Sequence, residues 1–218
     1  MFSHTGSDSR YFNREGRYGD GGAYRDPNSH YRSWYDFDPK YKGGYRSWWG
    51  FETLPEVNEE NPSYVEFITG EGGVIDTWLR RGAAGFRLDV ADELPDDFIE
   101  KIRAAVKRVS PEKFLLGEVW EDATTKYGFG QRRTYLLGKG LDSVMNYPFK
   151  NAVLDLVKGK PAEQAMGEIL SICEHYPAPA MDTALNFLST HDTERALTVI
   201  ADEPANGRGR EWQSGRCV

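Results

Sequence analysis

The sequence Gly85-Phe86-Arg87-Leu88-Asp89 is a short apolar run that ends in an aspartate. Two later runs, residues 114–118 and 185–192, end in the same way, in Glu118 and in Asp192. The pattern predicts three strands, each with a carboxylate at its C-terminal end. In a barrel of parallel strands these ends meet on one face, so the three acids would share one pocket.

Such a pocket suits the hydrolysis of glycosidic bonds. That reaction passes through an oxocarbenium-like state, so it needs a carboxylate at the anomeric carbon and an acid that protonates the leaving oxygen. Two carboxyl groups in different surroundings can hold these roles at one pH. Any one of the acids alone is equally well explained as a helix cap after a core strand. The three together, with Arg87 two residues before Asp89 and His191 next to Asp192, favour the catalytic interpretation.

Helical and strand-like patterns alternate along residues 61–190. Apolar residues keep a broadly helical period from Asn61-Pro62 to Gly82, and a second helix is predicted over residues 97–109, before Pro111. Two more helices are predicted over residues 149–157 and 161–175. The predicted strands are residues 86–90, 114–119, 141–145 and 185–188. This order indicates an α/β fold with a parallel sheet or barrel.

The three acid-bearing runs resemble three sequence regions of the α-amylase family of glycoside hydrolases, family 13. Residues 85–93 resemble the second region, which implies that Asp89 is the nucleophile and that Arg87 orients it. Residues 117–120 resemble the third region, which supplies the general acid/base and assigns that role to Glu118. Residues 187–192 resemble the fourth region, so Asp192 would stabilise the transition state and His191 would bind substrate. The resemblance therefore implies a retaining, double-displacement hydrolase.

The first region of that family is matched only in part, by residues 1–6. His4 matches a substrate-binding histidine of the family, whereas the family's aspartate has no counterpart and Ser3 stands where asparagine is usual. His4 could instead be only a polar residue near the chain terminus. The resemblance implies that the chain starts inside a third barrel strand.

The resemblance also implies the fold, a partial TIM (β/α)8 barrel within residues 1–218 that covers about the end of strand 3 to strand 7. A complete barrel takes typically about 250 residues, whereas this chain has 218 and its residues 207–210 look like a loop. Unpaired edges of an incomplete barrel favour aggregation or association with another chain. We therefore expect little activity and poor stability from the chain alone, as a truncated fragment. The other alternative is a non-catalytic carbohydrate-binding or partner protein, which would be expected to lack at least one of the acids.

Residues 7–60 form a long segment that is rich in glycine, aspartate and aromatic residues. A loop of this length is uncommon in a compact domain unless it is a lid or a binding loop. Most of its rings are predicted to form a satellite core, and a few, Trp49 among them, to stack on sugars. Residues 48–58 resemble the loop after strand 3 in the neopullulanase and cyclomaltodextrinase group. That resemblance implies α-glucans as substrates, with α-1,4 linkages and with α-1,6 linkages left open.

The remaining polar and sulfur-containing residues have weaker interpretations. Trp120 and Arg195 follow predicted catalytic positions and are interpreted as sugar-pocket residues, although a tryptophan after a strand is as often a packing residue. His175 lies at a predicted helix end, where a histidine suits the helix dipole, and no function is assigned to it. Cys173 is predicted to be a core residue on an apolar helix face, and neither it nor Cys217 has metal-like spacing.

The composition is that of a globular enzyme, with 39% hydrophobic and 28% charged residues. A net charge of −7 argues against nucleic acid as a partner, and no apolar stretch reaches the roughly 18 residues of a membrane helix. The predicted partner is an oligosaccharide or polysaccharide substrate, with a homo-oligomer left open, and no cofactor or metal is predicted. A cytoplasmic location is favoured, but a chain that starts inside a strand would show no signal peptide.

Overall fold

The structure is a computed structural model that describes residues 2–201. Its helices are α1 Pro62–Thr69, α2 Val74–Arg80, α3 Asp96–Val109, α4 Tyr147–Val157, α5 Ala162–His175, α6 Ala178–Asp182 and α7 Ala196–Ala201. Its strands are β1 Gly85–Leu88, β2 Phe114–Gly117, β3 Tyr127–Gly128, β4 Gln131–Arg132 and β5 Ser143–Val144. Within residues 2–201, none of the helices combines the length and the apolar character needed to cross a membrane.

The main sheet is parallel and has the order β1-β2-β5. Gly85 pairs with Phe114 and Leu88 pairs with Gly117, so β1 and β2 end at the same level. A parallel bridge between Met145 and Leu185 extends the sheet beyond β5. The predicted α/β fold with a parallel sheet is therefore confirmed in its class.

The last predicted strand, residues 185–188, differs from the structure. Only Leu185 pairs with the sheet, through its bridge to Met145. Leu185 and Leu188 are both exposed, so this segment lacks the two-sided burial that favours a regular strand in a parallel sheet.

A glycine sets the pairing of the two longest strands. A Cβ atom at Gly85 would lie 2.0 Å from the carbonyl oxygen of Phe114, which is a contact that no side chain could make. Gly85 therefore allows β1 and β2 to approach closely at their first pair.

Helix α3 connects β1 to β2 and covers the sheet with one apolar face. Its buried residues are Phe98, Ile99, Ile102, Ala105 and Val106. Acidic residues in its first turn and basic residues in its last turn both complement the helix dipole. Arg103 and Lys107 bind Asp142, and the Asp142 carboxylate also accepts a hydrogen bond from the Leu115 backbone. These contacts fix α3 against β2 and the segment before β5.

The prediction of one continuous helical segment up to Gly82 is wrong. The structure divides it into α1 and α2, with glycine-rich residues 70–73 between them. Gly72 has a left-handed backbone with φ 73°, and a Cβ atom at Gly73 would lie 2.7 Å from the Phe67 carbonyl oxygen. This turn needs glycine at both positions, and the apolar period of the sequence concealed it.

Residues 7–60 contain short 3₁₀ turns and isolated bridges instead of long helices or strands. The turns are Arg32–Trp34, Lys42–Gly44 and Trp48–Gly50. The buried rings of residues 7–60 belong to the same hydrophobic cluster as Leu115 of β2. These rings are Phe12, Trp34, Tyr35 and Tyr45. The aromatic core of this segment is therefore continuous with the main core and is not a separate satellite.

Cys173 is exposed on α5, so its prediction as a core residue is wrong. It follows the buried Ile172 in sequence but lies off the helix face that packs. Cys217 and the predicted loop at 207–210 lie outside the described residues.

Candidate active site

The parallel sheet positions two of the predicted acids, Asp89 and Glu118, side by side. Because Leu88 and Gly117 are paired, the residues that follow them, Asp89 and Glu118, leave the sheet at the same edge. The Glu118 backbone N–H also donates to the Leu88 carbonyl over 2.9 Å, which continues the ladder to that point. Asp192 reaches the same edge from the segment that begins with the Leu185 bridge.

Arg87 lies between the three acids. Its Nη1 donates to Asp89 Oδ1, its Nη2 lies 3.0 Å from Glu118 Oε2 and the same nitrogen lies 3.9 Å from Asp192 Oδ2. Nη2 is buried and makes no well-aligned hydrogen bond within residues 2–201, so its attraction to Glu118 and Asp192 is mainly electrostatic. One guanidinium thus brings the three carboxylates to a common point.

Glu118 is enclosed by hydrogen-bond donors. Its Oε2 accepts the backbone N–H of Val90 at 2.8 Å, and its Oε1 accepts the Trp120 indole N–H at 3.0 Å and the Tyr147 hydroxyl at 3.4 Å. Only 3% of its surface is exposed. Burial raises the pKa of Tyr147, and the charges of Glu118 and Asp192 add to that increase, so this hydroxyl stays protonated as a donor.

Val90 has an unusual backbone conformation directly after Asp89. Its φ is 44° and its ψ 54°, in the left-handed region that β-branched residues strongly disfavour. This conformation directs the Val90 N–H at Glu118. Non-glycine residues in such strain cluster at functional sites.

Asp89 and Asp192 are more open to solvent than Glu118. Their side chains are 20% and 37% exposed. His191 Nε2 lies 3.1 Å from Asp192 Oδ2, and the His191 side chain itself is largely exposed. The three carboxyl groups therefore differ in exposure, since Glu118 is buried and Asp89 and Asp192 are partly open to solvent.

His4 is buried and stacks on Trp48 with ring centroids 5.3 Å apart. Its Nδ1 lies 3.0 Å from the Ser3 hydroxyl oxygen. Burial lowers the pKa of His4, which favours a neutral ring. His4 is therefore held in place as a hydrogen-bonding side chain at the cleft.

A cleft of about 730 Å³ joins these groups. Its walls include the three acids, and also the predicted substrate-binding residues His4, Trp49, Trp120 and His191. Trp120 stacks on Tyr147 with centroids 4.6 Å apart. Arg195 is exposed and does not line this cleft. Within the described range, no set of three or more His, Cys, Asp or Glu side chains is grouped as metal ligands.

Sequence reasoning missed three contributors to this site. Val90 gave no signal, because backbone strain cannot be read from residue type. Tyr147 lies three residues after β5, at the start of α4, so its position just beyond a strand was an available signal. Glu93 holds the indoles of Trp48 and Trp49 through their N–H groups, and no local pattern links residues so far apart.

Comparison with known proteins identifies one family of catalytic domains. The family described as "Alpha amylase, catalytic domain" matches residues 1–212. An amylopullulanase from Thermoanaerobacterium saccharolyticum is 34% identical over 94% of this chain and 18% of its own length. A cyclomaltodextrinase from a Bacillus species is 36% identical over 68% of this chain and 25% of its own length.

A solved structure of similar fold is the cyclic alpha-maltosyl-(1→6)-maltose hydrolase from Arthrobacter globiformis, in complex with the cyclic saccharide of its name. It superposes with a TM-score of 0.77 at 25% identity, over 92% of this chain and 42% of that structure. The chain therefore spans less than half the length of each of these relatives.

Proposed function

Since the chain belongs to the α-amylase family of glycoside hydrolases, we propose that it carries the catalytic carboxylates of an enzyme that hydrolyses α-glucans with retention of anomeric configuration. The observation that carries this proposal is the position of Arg87, in contact with Asp89, Glu118 and Asp192 together. A purely structural ion pair needs one carboxylate, whereas glycoside cleavage needs at least two at one point.

Asp89 is the proposed nucleophile, and Glu118 the general acid/base. Asp89 attacks the anomeric carbon as Glu118 protonates the leaving glycosidic oxygen, and the glycosyl–Asp89 ester is then hydrolysed by a water that Glu118 deprotonates. The hydrogen bond from Arg87 orients the Asp89 carboxylate for this attack. Asp192 stabilises the oxocarbenium-like charge, and its place on the wall of the same cleft as Asp89 and Glu118 supports this role.

The proposed substrate-binding residues surround these acids. His191 and His4 offer ring nitrogens to sugar hydroxyls, and Trp120 and Trp49 offer flat apolar faces. Their place on the cleft wall supports these roles. Arg195 remains a proposal with weaker support, since it lies outside that wall.

Malto-oligosaccharides, cyclodextrins and pullulan are the proposed substrates, with water as the acceptor. Relatives named amylopullulanase and cyclomaltodextrinase support this class. We further propose that residues 1–218 form part of one barrel domain, in which residues 7–60 follow the third strand. Both points are proposals because the chain spans only part of each relative.

The test is an assay on cyclodextrin, pullulan, starch and sucrose, with the first anomer released detected by NMR. Release of the α-anomer from an α-glucan is expected. Release of the β-anomer would indicate inversion, and action on sucrose alone would contradict the proposed substrate. If no substrate is cleaved, the protein is an inactive fragment or a non-catalytic partner, and oligosaccharide binding would separate these two.

A further inference from the structure

Arg133, directly after β4, is a buried cation outside the cleft. Only 1% of its side chain is exposed, and it is not part of the cleft wall described over residues 2–201. A charged side chain is almost never fully buried unless it is paired. The contacts that compensate for its burial therefore indicate what Arg133 does.

All three nitrogens of the Arg133 guanidinium donate to the same short segment. Nε donates to Asp96 Oδ1 at 2.8 Å, Nη1 to the Asp92 carbonyl at 2.8 Å and Nη2 to the Leu94 carbonyl at 2.6 Å. Nη2 also lies 3.5 Å from the Ala91 carbonyl oxygen. A planar guanidinium can serve several acceptors at once, whereas a lysine ammonium presents its donors from a single point. Arg133 thus fixes the backbone of this segment.

The same segment holds Glu118. Val90 comes immediately before the 3₁₀ turn Ala91–Glu93, and its N–H donates to Glu118 Oε2 at 2.8 Å. The Ala91 N–H donates to the Glu118 backbone carbonyl at 3.1 Å. A left-handed valine persists only where the surrounding structure determines it, and the contacts of Arg133 begin at the next residue. A few bonds of one turn therefore link the buried guanidinium to the Glu118 carboxylate.

The alternative is that Arg133 forms only a structural ion pair with Asp96, the first residue of α3. An ion pair needs one carboxylate and does not explain the carbonyl acceptors. Tyr135 and Lys126 also contact this turn, but at 2.8 Å and 2.9 Å they hold the side chain of Asp92. The Tyr135 hydroxyl reaches a carbonyl, that of Ala91, only at 3.4 Å. The short bonds to the backbone of the turn thus come from Arg133.

We propose that Arg133 is a positioning residue for the general acid/base, because it holds the turn in the conformation that directs the Val90 N–H at Glu118. This inference rests on the proposed function, in which Glu118 protonates the leaving oxygen. Small misplacements of a catalytic group cost up to about 10² in rate. Loss of the Arg133 guanidinium should therefore lower kcat, and KM should change little because Arg133 is not part of the cleft wall.

The test is NMR spectroscopy of the full 218-residue chain. Two signals report the position of the Glu118 carboxylate. The Val90 amide donates to Oε2, and the Trp120 indole N–H donates to Oε1. In Arg133→Lys both proton signals are expected to shift upfield, because a proton is more shielded in a weaker hydrogen bond. Trp120→Phe identifies the indole signal by its loss.

Two variants separate positioning from an ordinary ion pair. Asp96→Asn removes the carboxylate partner of Arg133 but leaves the bonds to the carbonyls. Arg103→Lys is the matched control, since Arg103 also pairs with an aspartate, Asp142, away from the cleft. Both should lower stability and leave the two signals unchanged. Unchanged signals in Arg133→Lys, or equal shifts in Arg133→Lys and Asp96→Asn, would overturn the inference.

Initial rates on maltoheptaose provide a second readout. Arg133→Lys should lower kcat by about tenfold and leave KM within about twofold of the wild type. A loss confined to KM would contradict the inference. If the wild type cleaves no α-glucan, the proposed function fails, whereas the two NMR signals still decide whether Arg133 places the Glu118 carboxylate.

If Arg133→Lys does not fold, hydrogen exchange of the wild type decides. The Val90 amide and the Arg133 Nε–H are expected to open together, with protection factors within about tenfold of each other. A Val90 amide that exchanges freely while Arg133 stays protected would show that Arg133 does not hold the turn.

Discussion

The cleft lies next to a second cavity of about 850 Å³, the aromatic cavity, which shares Trp48, Trp49, Asp92 and Glu93 with it. Both contain several carboxylates, but the carboxylates are arranged differently. In the cleft, Asp89, Glu118 and Asp192 converge on one cation, Arg87. Each of these acids follows a segment that pairs in the parallel sheet. Their mutual positions are therefore fixed by the backbone.

In the aromatic cavity two of the acids have separate partners. Glu56 pairs with Arg46, and Glu93 binds two indoles. Glu56 lies in an isolated antiparallel bridge and Glu93 in a 3₁₀ turn, so neither acid directly follows a paired strand of the parallel sheet. Carboxylates that share one cation can act on one atom of a substrate, whereas separate carboxylates can only contact different parts of a ligand.

The largest expected effect is on the cleft. Asp89→Asn keeps the size of the side chain but removes its charge, so the activity should fall by about 10³-fold or more. Asp97→Asn, the same change at an exposed position of α3, should leave activity unchanged. Initial rates on maltoheptaose measure both, at a high protein concentration because the chain alone is expected to have little activity. Equal activity of the two variants would remove Asp89 from the chemistry.

Arg87→Lys tests whether convergence on one cation matters. A lysine ammonium cannot reach three carboxylates at once, so activity should fall about 10²-fold, and stability by about 2 kcal/mol because Glu118 is buried. Arg103→Lys is the control, since Arg103 also pairs with an aspartate, Asp142, but away from the cleft. It should lower stability without lowering activity per folded molecule. A similar loss of activity in both would contradict the distinct role of Arg87.

In the region of the aromatic cavity, Glu59 is expected to affect stability. Burial raises the pKa of Glu59 to about 8, and the nearby Glu56 adds to the shift. The folded protein thus retains a proton that the unfolded chain has released, so stability should decrease as the pH rises from about 4.5 to about 8.

Glu59→Gln should remove much of this decrease and be more stable than the wild type at pH 8, on the order of 2 kcal/mol. The stability of this variant should still decrease somewhat as the pH rises, because burial also raises the pKa of Glu56. Thermal melts at pH 5 and pH 8 measure the effect, with Glu60→Gln, an exposed neighbour, as control. Parallel pH profiles for the wild type and Glu59→Gln would contradict the prediction.

The smallest effect concerns the backbone strain that occurs in both regions. Val90→Gly relieves a left-handed φ that Val90→Ala retains, so the glycine variant should be more stable than the alanine variant by about 1 kcal/mol. Urea unfolding measures the difference between the free energies of unfolding of the two variants. Both variants lack the valine side chain, so its loss does not contribute to the difference. Equal stability would mean that the positive φ at Val90 carries no strain.

The sequence was sufficient to predict the convergence of the strand-end acids, because parallel pairing brings strand ends to one edge. Helix α3 was predicted to within one residue, since its apolar face is regular and Pro111 follows it. The break between α1 and α2 was missed because the apolar period continues across residues 70–73. Periodicity reports which residues are buried, but not where the axis of a helix changes.

The aromatic cavity could not be predicted from the sequence. Its walls combine residues 33–60, 92–95 and 129, which no local pattern connects. The strained conformations of Trp49 and Phe129 depend on tertiary contacts, and only the glycine that follows each gives a hint. The failure of residues 185–188 to form a full strand has the same cause, because burial depends on what packs against a segment.

The pairing of Gly85 with Phe114 has a consequence for refolding kinetics. Two adjacent parallel strands cannot be joined by a tight turn, so the whole of α3 must cross the sheet before β1 meets β2. Helix α3 gains its hydrogen bonds locally and early, whereas the strand pairing waits for the closure of this long connection. The late step in refolding is therefore the pairing of β2 with β1, which begins at Gly85. Because Asp89 and Glu118, the proposed catalytic acids, follow directly after these strands, recovery of the site should coincide with that step and not with the earlier gain of helix.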